Sequence, residues 1–479
     1  MRPAGSYQYP PMDFVVYGKP AARALSEEAE RLNASRVFLI ASRTLNTRTD
    51  EIEKIRNLLG DRYAGTFDGI PQHTTREVVV KAASHARDAK ADLIVAIGGG
   101  SVVDAAKIIL MCIEHEIVDE DGLDGYETTP ERRFGAFRNP KVRMIAIPST
   151  LSGGEYNSGA LVTDTRRKLK QIFNHPMMMP RTIILDPAIT KYTPEKLWLG
   201  SGTRAMDHGI EAICSIRGNP LVDSACLAGL RYLHDGLLRT RENPDDAEAR
   251  VDCQFGSWLS AFGLQARVPM GASHAIGHVL GGTCDVPHYF CTAVMMSSVL
   301  RYNKPATETA QKSIAEALRA PHLDASDAFA ALIGKLGLPR SLSDVGVGAD
   351  RFKLIGENAM LSIFTRFNPQ PLREAGDVVE ILKLAAWFCG IEHFSVRRLH
   401  PLRRCGEYDS AFPRREVRPS CASSRPSKDR GRREDRVRAA PAVSRANQIA
   451  KTHTSIQVQR RQSGLPCAMV LRLTSRSPR

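Results

Sequence analysis

No run in this 479-residue sequence reaches the roughly 18 to 20 consecutive apolar residues that a membrane-spanning helix needs. The N-terminal MRPAGSYQYPPMDFVVYGK has no apolar signal core and predicts no secretory leader. Ten cysteines are scattered without a CxxC pair or a regular framework, and six of them (Cys112, Cys214, Cys226, Cys253, Cys284, Cys291) precede residue 389. That pattern predicts reduced thiols in a cytoplasmic protein rather than disulfide staples.

An excess of one charge is also missing from most of the chain. The formal net charge of +14 suggests a nucleic-acid binder until it is located. Of 66 Lys+Arg and 52 Asp+Glu, 21 and 7 follow residue 388, leaving 45 of each before it. A neutral body gives no electrostatic case for DNA, RNA or an anionic membrane. Segment 389–479 has 19 Arg against 2 Lys, is rich in Ser and Pro, and lacks sustained periodicity, so it is expected to be disordered. Two origins stay open for it. One is a basic arm, whose DNA binding would be salt-dependent; the other is an out-of-frame reading of a GC-rich gene, which carries the same bias.

What is present divides into two halves. Arg36–Ile40, Asp92–Ile97, Met144–Ile147 and Thr182–Leu185 are short continuous apolar runs, the signature of strands buried on both faces of a parallel sheet. Helical segments such as Thr75–Ala89 lie between them. Residues 1–190 therefore read as a Rossmann-like α/β domain. From Pro194 the strand signal fades. Helical patterns recur at Pro194–Ser215, Leu221–Thr240, Ala247–Gln265, Ala272–Leu280, Thr292–Tyr302, Thr307–Leu318, Ser326–Leu336, Ala349–Met360 and Ala375–Phe388, making 191–388 an all-helical domain. The cleft between the halves is the expected ligand site.

GGGSVVDAAK, residues 98–107, follows the second of these strands directly. Gly98, Gly99 and Gly100 permit close backbone approach to a diphosphate, and a helix starting at Ser101 would aim its free N–H groups at the same point. Ser101 and Asp104 fit an S-x-x-D cap. The alternative is a tight turn without a ligand. PSTLSGGEYNSGALVTD, residues 148–164, follows the third strand and sets Ser149, Thr150 and Ser152 beside two glycines, again at a strand's carboxyl end where ligands of open α/β sheets gather.

GASHAIGHVLGGTCDVPH, residues 271–288, places His274 and His278 four apart on one helix face. Gly281 and Gly282 are expected to end that helix and return His288 toward it. Imidazoles so placed can ligate a metal, move a proton or bind an anion; any one of them alone could be a satisfied core histidine.

These motifs, with LDP at 185–187 and RAMDHGIEA at 204–212, together resemble the iron-containing alcohol dehydrogenase family over residues 12–387. The ending ILKLAAW, residues 381–387, looks like the normal terminus of such proteins. The resemblance implies an N-terminal dinucleotide-binding α/β domain, a helical C-terminal domain, hydride transfer with NAD(P) in the cleft, and a homodimer. Metal-using members hold iron or zinc with one Asp and three His. The histidine positions match His208, His274 and His288, with His278 on the same wall. The Asp position is Arg204. A guanidinium stays protonated and cannot ligate, and at four residues before His208 it would project into the histidine cluster.

The same departure is seen in the maleylacetate reductase branch, to which PSTLSG and HVLGG are also closer. This implies reduction of an enone dicarboxylate, maleylacetate to 3-oxoadipate, without obligatory metal, in aromatic-compound degradation. A cationic pocket suits a carboxylate substrate. Tyr289 and Phe290 stand where the family usually has a small residue and could narrow the pocket. After the first strand, Ser42 and Arg43 offer no acidic group to repel a 2′-phosphate, so NADH with NADPH tolerated is expected; Lys168 or Lys170 could reach the cofactor. The runner-up is an alcohol dehydrogenase holding iron or zinc through His208, His274 and His288.

Overall fold

A computed structural model describes residues 7, 9–129 and 137–386. The segment 389–479 and Trp387 lie outside the described residues. The four apolar runs form strands, joined by two edge strands, in one six-stranded parallel sheet. In chain order the strands are β1 (Phe14–Tyr17), β2 (Val37–Ala41), β3 (Tyr63–Phe67), β4 (Leu93–Gly98), β5 (Arg143–Pro148), an antiparallel hairpin β6 (Gly159–Asp164) and β7 (Leu169–Asn174), and β8 (Thr182–Leu185). The sheet order is β1-β8-β5-β4-β2-β3, with the hairpin outside it.

Because side chains alternate across a strand, β4 serves two cores at once. Ile94 and Ala96 join one apolar cluster with Val103 and Ile108, whereas Leu93, Val95 and Ile97 join another with Leu39 and Ile52. This is why the central strands read as unbroken apolar runs. In-register pairing of Gly98 with Pro148 sets the loops after β4 and β5 side by side. The Ser42 N–H donates to Ile97 O at 2.7 Å and the Ser149 N–H to Gly98 O at 2.9 Å, so three loops meet at the carboxyl edge.

Every described element after Leu185 is helical, and the two halves pack into one compact unit. Three local expectations are corrected. The segment expected as one helix over Ala247–Gln265 breaks at Ala261 into Ala247–Ser260 and Phe262–Gln265. Conversely, Thr292–Tyr302 and Thr307–Leu318 join in a single run, His288–Ala317, kinked where Pro305 lacks an N–H and Thr307 leaves helical geometry. Thr307 Oγ1 donates to Asn303 O at 2.8 Å and Gln311 Nε2 to Leu300 O at 2.7 Å, so side chains serve carbonyls at the kink. Third, Gly281 and Gly282 do not end their helix, which continues to Thr283. The reversal comes at Asp285, whose φ is +54°.

The helices Pro220–Glu242 and Ala247–Ser260 cross at two glycines. A Cβ on Gly229 would lie 2.7 Å from Ser260 N and 2.8 Å from Gly256 O. Backbone cannot yield as a flexible side chain can. Gly229→Ala is therefore expected to cost about 1–3 kcal/mol of overpacking, exceeding the roughly 1 kcal/mol that alanine gains in helix propensity. A thermal melt should show Tm lowered by several degrees; an unchanged or higher Tm would show that the crossing can open freely.

Candidate active site

The first loop is built to leave donors free. The helix over Gly100–Glu114 starts one residue earlier than expected, with Gly99 as its N-cap and no side chain bonding its first turn. Ser101 and Asp104 thus do not form the expected cap. The Ser101 carbonyl accepts from Thr74 Oγ1 at 2.9 Å, and Asp104 faces the Leu161 N–H of β6. The Val102 N–H turns back to Gly99 O at 3.0 Å, and with a glycine as cap no side chain takes the Gly100 and Ser101 N–H groups ahead of it.

The second loop roofs the first. A Cβ on Gly99 would come 3.2 Å from Thr150 Cγ2, and one on Gly100 would come 3.0 Å from Ser152 Oγ. The hydroxyls of Thr150 and Ser152 are 3.1 Å apart. Gly98, Gly99, Gly100, Ser149, Thr150 and Ser152 are thus brought together, with Ser42 bordering them: its Cβ is 3.2 Å from where a Gly98 Cβ would stand. Lys168 lies instead in the exposed turn of the β6–β7 hairpin at φ +52°. Lys170 is the lysine whose charge reaches Asp104, Arg204, His278 and His288.

The four histidines form a chain of rings. Centroids are 5.2 Å apart for His208 and His274, 6.3 Å for His274 and His278, and 5.9 Å for His278 and His288. Phe364 packs against both His274 and His278. Gly153, at φ +72°, brings the second loop against this wall, since a Cβ there would lie 3.2 Å from His208 Nδ1. Gly281 does the same for His288, whose Nδ1 is 3.7 Å from its Cβ position.

Arg204 is buried, its charge reaches these rings, and it is not alone. Its Nη1 donates to Asp207 Oδ2 at 2.7 Å, and that oxygen also accepts from Thr292 Oγ1 at 2.7 Å and Ser273 Oγ at 2.9 Å. Glu211 Oε2 accepts from His274 Nδ1 and from the Gly271 N–H, and Oε1 from the Ser273 N–H, at 2.7, 2.8 and 2.8 Å. Sequence analysis missed Asp207 and Glu211. The signal was present: they lie three residues after Arg204 and three after His208, within reach on one helix.

Electrostatics separate the histidines. Burial, then the Arg204 charge, pushes the pKa of His208, His278 and His288 well below the usual range. Burial and Arg204 oppose protonation of His274 too, but Asp207 and Glu211 outweigh them and raise its pKa. Burial alone would raise the Asp207 pKa; the charges of His274 and Arg204 hold it well below the carboxylate range. His274 Nε2, His208 Nδ1 and Asp207 Oδ1 are buried and without hydrogen-bond partners, which makes them the site's polar atoms open to a ligand.

Asp207, Glu211 and His274 bring ligand atoms within 4.8 Å of one another, a spacing compatible with a cation. Most of their lone pairs are engaged, but Asp207 Oδ1 is buried without a hydrogen-bond partner. Asp207 Oδ2 serves three donors, Glu211 serves three, and the 2.7 Å contact between His274 and Glu211 is a direct hydrogen bond with no room for an ion between. The histidine wall faces both the Asp207 carboxylate, whose Oδ1 is 3.5 Å from His274 Nδ1, and the fixed cation of Arg204. The cluster stays compatible with a cation, while the fixed charge of Arg204 beside it works against one. Tyr289, expected to narrow the pocket, packs its ring on Gly200, where a Cβ would lie 2.8 Å from its Cδ2.

The chain belongs to the iron-containing alcohol dehydrogenase family and is an oxidoreductase: the family's N-terminal model matches residues 13–187, and the Fe-containing alcohol dehydrogenase C-terminal model matches 199–386. Within the family it falls in the maleylacetate reductase-like branch. It is 31% identical to maleylacetate reductase 1 of Cupriavidus pinatubonensis over 78% of this chain and 94% of that protein. It is 29% identical to the dehydrogenase FUM7 of Gibberella moniliformis over 78% and 96%. The crystal structure of maleylacetate reductase from Agrobacterium tumefaciens superposes with a TM-score of 0.68 at 27% identity, covering 81% of this chain and 99% of that one. No described helix is long and apolar enough to cross a membrane.

If Gly99 lies against a diphosphate, Gly99→Val puts branched carbons into the 3.2 Å gap under Thr150. The KM for NADH should rise at least about tenfold, equivalent to roughly 1.4 kcal/mol of lost binding. An unchanged KM in the folded variant would remove the phosphate assignment.

Proposed function

We propose that this protein reduces an α,β-unsaturated keto dicarboxylate of the maleylacetate type to the saturated 3-oxoadipate type, in aromatic-compound degradation, with NADH or NADPH and without an obligatory metal. The observation that carries this is Arg204, a buried cation among the histidines at the position where metal-using members keep their Asp. The uncapped helix at Gly100 and the roofed glycines fit a dinucleotide diphosphate. When bound, the nicotinamide supplies the hydride.

The residues of the chain then have three tasks. Hydride arrives at the alkene carbon β to the ketone, and the C=C electron pair moves toward the ketone oxygen, which becomes enolate. Arg204 stabilises negative charge on substrate; Asp207 engages Nη1 and leaves its other N–H donors for that role. His274, held by Glu211 through Nδ1, presents Nε2 and delivers a proton to the neighbouring carbon as the enolate collapses. The buried walls of the cleft keep water from the enolate. A homodimer is part of the same proposal.

The compact Asp207, Glu211 and His274 cluster supports a second reading, an iron- or zinc-dependent alcohol dehydrogenase. Arg204→Ala distinguishes the two. It should lower kcat/KM for the enone dicarboxylate about a hundredfold, on the order of 3 kcal/mol, with no recovery on adding iron or zinc. Pairing Arg204→Met with Asp207→Asn removes both charges and guards against misfolding from an orphaned carboxylate. Retained activity in either folded variant would refute the role of Arg204.

The pH profile gives a separate check. A raised His274 pKa keeps the proton donor charged below that pKa and loses it as pH rises through it. Glu211→Gln weakens the hold on the charged form, so the alkaline limb of kcat should move to lower pH by about one unit, or ~1.4 kcal/mol. A limb that stays in place would exclude His274 as the donor.

A further inference from the structure

Lys107 is wholly buried in the middle of the Gly100–Glu114 helix. Its Nζ donates to Gly154 O at 2.7 Å and to Gly159 O at 2.7 Å, and lies 3.4 Å from Asn157 Oδ1. An ammonium has three donors, and all three address one segment, the loop after β5. Asn157 Oδ1 also accepts the Gly159 N–H at 2.8 Å, which closes the loop's far end on itself. An apolar residue here would avoid desolvating a charge, so packing alone does not account for a lysine. Burial pushes Lys107 down to about 8 and its neighbours Asp104 and Glu155 up to about 6 and about 7.

The same loop touches the glycine turn, one histidine of the wall and the helical half. Thr150 and Ser152 cover Gly99 and Gly100, and Gly153 stands against His208. From the helical half, Ser201 Oγ accepts the Leu151 N–H at 3.1 Å, Ser257 Oγ donates to Leu151 O at 3.0 Å, and Thr193 Oγ1 donates to Ser149 O at 2.7 Å. Lys107 adds the charged anchor, from the helix whose N-terminus faces the proposed diphosphate.

We propose that Lys107 is a positioning residue: its ammonium fixes the 149–159 loop to the Gly100–Glu114 helix, holding Thr150 and Ser152 over the diphosphate turn and so setting nucleotide affinity. This rests on the NAD(P)H reading above. Cutting the anchor lets the roof lift from Gly99 and Gly100, while Arg204 and His274, held by Asp207 and Glu211, keep their places.

The test uses the full chain, with NADH and NADPH binding followed by fluorescence and KM measured for nucleotide and for the enone dicarboxylate. Lys107→Met should raise the nucleotide Kd and KM at least about tenfold, with the KM for the dicarboxylate within about twofold. Leu332→Ala, a core variant far along the chain, provides the contrast: it lowers Tm without moving nucleotide Kd. Asn157→Ala, which trims one side of the anchor, should raise nucleotide Kd about threefold and decides the matter should Lys107→Met not fold. An unmoved nucleotide Kd in the folded variants overturns the proposal. If the unmodified protein binds neither nucleotide, the cofactor reading itself fails, and the positioning role with it.

Discussion

The contact between Arg204 and Asp207 is the constraint around which the histidine wall is organised. A guanidinium in a buried site is tolerable only if its charge is matched. Here Asp207 Oδ2 takes Arg204, Ser273 and Thr292 together. Those donors come from three different helices, so one carboxylate oxygen fixes their relative placement. Removing Asp207 alone would leave a buried cation uncompensated, a cost of about 3–5 kcal/mol. The network is also why His274 differs from its neighbours: the Arg204 charge disfavours a proton on all four rings, and only His274 has carboxylates close enough to reverse that.

Around this centre the fold supplies rigid rails. Parallel pairing of β4 with β5 brings the glycine turn and the hydroxyl loop to one edge, and the helix carrying Arg204 and His208 meets that loop at Gly153. Glu211, one turn beyond Asp207, caps the helix that presents His274 by taking the Gly271 and Ser273 N–H groups. The carboxylate that orients the imidazole thus also anchors the backbone beneath it, and ring and helix cannot shift independently.

Much of this was legible in the sequence because it depends on period and composition. Four strands buried on both faces announced themselves as apolar runs, and the helical half showed its period throughout. The failures were local and physical. Gly281 and Gly282 suggest a helix stop, but glycine near a helix's end is tolerated, and at 281 it gives His288 room. Two helices, Thr292–Tyr302 and Thr307–Leu318, are expected where one kinked run stands, because side chains of Thr307 and Gln311 serve the carbonyls at the Pro305 kink. Ser101 and Asp104 had cap spacing, yet the helix begins on glycine. The largest omission was Asp207 and Glu211. A charged residue judged by its own position looked like an unmatched cation, whereas its partner lay one turn away in the same motif.

Under the proposed function a fixed cation, not a metal, stabilises charge in this site. The most direct measurement is the rate of NAD(P)H-dependent reduction of maleylacetate by protein stripped with a chelator and checked for residual iron and zinc. Turnover equal to that of untreated protein is the predicted result. Loss of turnover on stripping, restored by one equivalent of iron or zinc, would contradict it and make the site a metal centre with Arg204 as a bystander.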